Sequence, residues 1–127
     1  MTYTYTALIH KDDDRYFARV PDIAGCVTSG RSLDEAIDMI TDALSGCLVV
    51  AEDINAPINP PTPQYDIKHS DDEICTLIRV DTIAYRAATD KRSVRKNVSL
   101  PAWMANLADK RGINCSKLLQ DALLHIL

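Results

Sequence analysis

The sequence predicts an α+β protein in two parts: antiparallel strands with one long helix over residues 1–85, and a strand followed by two helices over 93–127. Residues 86–92 read as a linker. Three observations predict this. Two-residue alternation near the N-terminus gives way to a long helical stripe of apolar residues. A second, independent set of apolar positions follows Pro101. The charge also changes sign along the chain: residues 1–90 carry seven Lys or Arg against sixteen Asp or Glu, a net −9, whereas 91–127 carry seven Lys or Arg against two Asp, a net +5. Such a division points to two partners, a cationic protein or surface for the first part and a polyanion for the second.

A chain of 127 residues buries one ordinary core, or two small ones of which at least one needs a partner. No apolar run reaches the roughly eighteen residues of a bilayer span, and the N-terminus lacks a basic region followed by an apolar stretch and a cleavage site. A cytoplasmic protein without membrane contact is the expectation. Cys26, Cys47, Cys75 and Cys115 are widely spaced, as are His10, His69 and His125. Neither a zinc site nor a disulfide framework is indicated, no cofactor is called for, and each cysteine reads as a small buried residue.

Thr2 to His10 alternate Tyr and Thr before Ala7, Leu8 and Ile9, a β-rich strand composition. Asp12, Asp13 and Asp14 make a turn, Tyr16 to Val20 a second strand stopped by Pro21, and Cys26 to Ser29 a third, together an antiparallel meander. Ser32 with Glu35 three residues on is a capping box, which starts a helix. There Leu33, Ala36, Ile37, Ile40, Leu44, Cys47, Leu48 and Ala51 recur at helical spacing, a stripe wide enough to lie across one face of the sheet. Asp34, Asp38 and Asp42 fall on the opposite side, either a solvated face or an acidic surface for a basic partner. Pro57, Pro60, Pro61 and Pro63 make Ala56 to Gln64 a stiff connector. Ile74 to Val80 is a further strand, and Asp81 to Arg92 a short helix or turn that runs into the linker.

Ser93 to Leu100 reads as a strand ended by Pro101, placed as the first residue of a helix. Trp103, Met104, Leu107 and Ala108 give that helix one apolar face, and Gly112 stops it. Asn114 caps a second helix whose Leu118, Leu119, Ala122, Leu123, Ile126 and Leu127 form a stripe that must be buried. One strand and two short helices cannot bury these faces alone, and a lone strand leaves its amides and carbonyls unpaired. The same strand from a second copy solves both problems, as a two-stranded ribbon over four intertwined helices. A homodimer through the C-terminal part is therefore expected, with assembly above the dimer left open.

Pro21 to Leu44 resembles the HicB antitoxin family, in which a proline, aspartate, glycine and cysteine run precedes a glycine and a capped helix carrying Glu-Ala. Pro21, Asp22, Gly25, Cys26, Gly30, Leu33, Glu35 and Ala36 fall in place, and Ile58 to Pro60 lies where the family often carries a proline after the helix. Arg95 to Pro101, followed by two helices, is similar to the ribbon-helix-helix class found in one branch of that family. The resemblance implies a partial RNase H-like N-terminal domain that binds and blocks a small basic HicA-like toxin, itself an mRNA-cleaving ribonuclease. It also implies repression of the chain's own operon by binding operator DNA. The acidic first part suits an RNA-binding toxin, because complementary potentials speed encounter. The resemblance assigns no particular toxin-contact residues.

In the ribbon, Leu100 and Val98 are expected to point toward the helices and Ser99, Asn97 and Arg95 outward. Paired about a two-fold axis, these would enter the major groove, Arg95 suited to guanine and Asn97 to adenine, with Ser99 bonding a base or a phosphate. Lys96 departs from the pattern at an inward position, and either marks a fraying ribbon end or reaches a phosphate. Asn114, Cys115, Ser116 and Lys117, at the N-terminus of the second helix, would offer amides to the DNA backbone.

Two other readings stand beside this one. An RNase H-like nuclease needs carboxylates converging from central strands and a helix onto two metal ions. Thr2 to His10 contains no acid, Asp12 to Asp14 lie in a turn, and the helix acids face solvent. A DNA-binding regulator whose N-terminal domain senses a non-toxin ligand is the second.

Overall fold

The alternating tyrosines and threonines form β1 (Thr2–Asp12), which continues two residues beyond the expected strand. The structure, a computed structural model, describes residues 1–127 as two units, Met1–Asp90 and Lys91–Leu127. In the first unit a tight turn with Asp13 at φ 53° returns the chain into β2 (Arg15–Arg19). β3 (Val27–Gly30) begins one residue later than expected, because Cys26 lies buried in the preceding loop, where its amide donates to the Ile23 carbonyl.

The meander gains a fourth strand. β4 (Ile74–Asp81) runs antiparallel to β1, from Thr2 opposite Asp81 to Ile9 opposite Ile74, and the sheet order is β3-β2-β1-β4. β1 is thus central, with both edges of its backbone paired.

Ser32 caps α1 (Leu33–Asp53), its Oγ accepting the Glu35 amide at 3.1 Å. Ala36, Ile40, Leu44 and Leu48 are buried against Tyr5, Ala7 and Ile9, which share one face of β1 by the strand's period of two. Each fully buried aliphatic side chain here contributes about 1.5–3 kcal/mol of transfer free energy. Gly30 makes this packing possible. A Cβ on it would lie 2.5 Å from the Ala36 amide nitrogen, so only glycine lets β3 end against the first turn of α1.

Leu8 is completely buried although it points to the opposite face from Ala7 and Ile9. On that face Arg19 of β2 and Glu73, just before β4, form an ion pair at 3.2 Å that reaches across β1.

The stretch that could be helix or turn is helical: α2 (Thr82–Thr89) is capped by Asp81, whose Oδ1 accepts the Ile83 and Ala84 amides at 3.0 and 3.3 Å. Arg86 then binds Asp53 at 2.8 Å and Glu52 at 3.1 Å. Residue 86, expected to open the linker, is held inside the first unit by these bonds. The proline-rich connector is fastened as well: Asp22 accepts the Thr62 amide and hydroxyl at 2.8 and 2.7 Å, and the Asn59 side-chain amide donates to the Asp22 carbonyl.

The second unit contains α3 (Ala102–Lys110) and α4 (Cys115–Ile126). Pro101 is the cap of α3 rather than its first residue, with ψ 140°. Gly112 ends the helix with φ +64°, a backbone conformation that side-chain-bearing residues rarely adopt. Asn114 caps α4 by accepting the Lys117 amide at 3.1 Å. The expected strand Ser93 to Leu100 is not formed in the single chain, where residues 90–101 hold no regular element. A strand exists only by pairing, and this unit contains no other strand.

Candidate protein and nucleic-acid interfaces

The second unit buries none of its side chains. Leu100, Trp103, Met104, Leu107, Ile113 and Leu118 line an open cleft of about 280 Å³, and Trp103 remains 62% exposed. On α4, Leu119, Leu123, Leu124 and Ile126 are also exposed. So many large apolar side chains exposed on so small a unit mark it as an interaction surface.

Of the residues expected at DNA, Arg95, Lys96 and Asn97 share one groove with Ser116 of α4. Ser99 is exposed outside that lining, and Cys115 instead lines the apolar cleft. Asn114 is committed to its cap, so the Lys117 amide expected to face a phosphate is already occupied. The alternation along 93–100 is not expressed in the single chain. Val98 at 60% and Leu100 at 46% are exposed, as are their polar neighbours and Lys96.

In the first unit the acids of α1 form an exposed ridge, Asp34, Glu35, Asp38 and Asp42. Beside it runs an open groove of about 740 Å³, bounded by Asp22 to Ala24, by Ala56, Pro57 and Asn59, and by Tyr85 of α2. Sequence reasoning missed this groove, since it depends on where the connector and α2 come to lie. Cys47 lines it and packs against the core that holds Cys26. Burial, and secondarily Cys47, pushes the Cys26 thiol up to about 12. Only Cys26 is fully buried; Cys47 and Cys75 are half-buried and Cys115 is exposed, which corrects the expectation for cysteines as a class.

One polar network closes the end of the unit. Glu52 accepts from Tyr3 Oη at 2.8 Å and Thr82 Oγ1 at 3.1 Å besides pairing with Arg86. Burial works to raise the Glu52 carboxyl, but these three hydrogen bonds outweigh it and hold the group below the ordinary carboxylate range. Burial and then Glu52 push the Tyr3 hydroxyl up to about 12. No group of three or more His, Cys, Asp or Glu side chains converges in either unit, and no helix is long and apolar enough to cross a membrane.

A family model described as HicB_like antitoxin of bacterial toxin-antitoxin system matches residues 5–121. The chain belongs to that family. A 14.9 kDa protein from the rep-hol intergenic region of Haemophilus phage HP1 is 28% identical over 109 residues, 84% of this chain and 79% of the phage protein. Among solved structures, a chain of the toxin–antitoxin complex from Streptococcus pneumoniae is similar over the full length of both chains, with TM-score 0.63 and 21% identity. The crystal structure of the Burkholderia pseudomallei antitoxin HicB covers 98% of this chain and 96% of its own, with TM-score 0.56 and 22% identity. At these identities the two structures share the fold, and the HicB-like family assignment rests on the family match.

Proposed function

We propose that this HicB-like antitoxin neutralises a small basic HicA-type toxin through residues 1–90 and represses its own operon through residues 91–127. In this reading the four-stranded sheet with α1 is the partial RNase H-like toxin-binding domain. The second unit is one half of a ribbon-helix-helix dimer, and the protein acts by binding rather than by catalysis. The observation that carries it is the coincidence of two boundaries: the charge changes from −9 to +5 at the point where a buried core gives way to a unit with no fully buried side chain.

In the dimer, residues 93–100 pair with their symmetry mates, which supplies the missing ladder and covers the apolar faces of α3 and α4. Arg95 and Asn97 then read bases in the major groove and Ser99 bonds a base or phosphate. Lys96, Ser116 and Lys117 hold the backbone, with Asn114 and Cys115 shaping the helix end that meets it.

Two titrations test the proposal: the purified chain against the product of the short, basic reading frame adjoining its gene, and against a fragment of its own promoter. Binding in both is expected. Promoter binding without the neighbour's product would favour a regulator with a different ligand, and binding in neither would overturn the proposal.

A further inference from the structure

We propose that the groove beside Gly46 is where the first unit receives its protein partner, seating an apolar segment of the basic toxin that carries Lys or Arg toward the α1 acids; this rests on the antitoxin reading above. Gly46 lies in the interior of the 21-residue α1, where glycine is the least favourable residue after proline. Gly30, at the end of β3, is required by its close approach to the backbone of Ala36. At Gly46 an added Cβ would meet only Tyr85 Oη at 3.8 Å, an ordinary contact. The fold itself therefore does not exclude a side chain there. What the glycine provides is a low floor, continued by Ala43 and Cys47, on which another chain can approach the helix closely.

The chemistry of the walls selects the occupant. Val50, 58% exposed, and Pro57 make the lining largely apolar, which suits side chains leaving water rather than a free ion. Asp42 stands at the rim, with Asp38 one helical turn earlier and exposed beside it. Asp22, also on the lining, is engaged with Thr62. An apolar segment flanked by cations satisfies both the floor and the rim, whereas a nucleic acid would meet a unit of net −9.

The test uses the full chain and the purified product of the adjoining basic reading frame, titrated calorimetrically, with thermal melting and promoter binding recorded for each variant. Gly46→Leu fills the floor and is expected to weaken toxin binding at least tenfold, with melting and promoter binding retained. Asp42→Lys, a surface change, is expected to do the same by reversing the rim charge, and decides the matter if Gly46→Leu fails to fold. Wild-type affinity in a folded Gly46→Leu, or in Asp42→Lys, overturns the groove while leaving the antitoxin reading intact. Failure of the wild-type chain to bind overturns that reading, and the groove proposal with it.

Discussion

Tyr3 Oη donates to Glu52 Oε2 across 2.8 Å, fastening the central strand to the last turn of α1. The same carboxylate holds Thr82 and Arg86, so one acid joins β1, α1 and α2. Glu52→Gln is therefore expected to destabilise the chain by about 1.5–3 kcal/mol at neutral pH, the range for hydrogen bonds to a charged group. Because the folded carboxyl is held below its unfolded value, this stability is present above about pH 4.3 and is lost as the pH falls through the lowered folded value. Melting curves of both proteins should converge in acid; a gap that persists or widens would contradict the network.

Thr6 is 1% exposed, and its hydroxyl has no hydrogen-bond partner within the protein. Thr6→Val removes a buried unsatisfied group at nearly constant shape and places a β-branched apolar residue in a central strand. A gain of about 1–3 kcal/mol by denaturant unfolding is expected.

The contact between Gly30 and Ala36 leads to the opposite result. Gly30→Ala drives a Cβ against backbone that cannot swing aside, and a loss of about 1–3 kcal/mol is expected. An unchanged denaturation midpoint would show that β3 and the first turn of α1 separate easily.

Arg95→Ala and Asn97→Ala are each expected to abolish binding of the promoter fragment while leaving affinity for the toxin unchanged. Loss of both activities in either variant would mean that the two units do not divide the work as proposed.

Local patterns made much of the fold legible. Ser32 and Asn114 announced their caps, Gly112 the end of its helix, and the alternation from Thr2 the first strand, because each acts within a few residues of itself. What escaped was long-range. That β4 returns to pair with β1 follows from no spacing in the chain, and the helix over Thr82–Thr89 owes its place to Arg86 reaching Glu52 and Asp53 on α1. The groove at Gly46 was hidden for the same reason, being made of α1, the connector and Tyr85 together. Residues 93–100 are a different case: their alternation is visible in the sequence, but no regular element forms there in the single chain, and the strand belongs to the proposed dimer, since a strand requires a neighbour to pair with.

Sedimentation velocity of the full chain, alone and with its own promoter fragment, tests most directly whether the cationic unit pairs with a twin to read a duplex. A dimer that shifts the promoter fragment, and leaves a shuffled duplex of equal length and composition free, is the expected result. A monomer, or a dimer that treats the two duplexes alike, would contradict it.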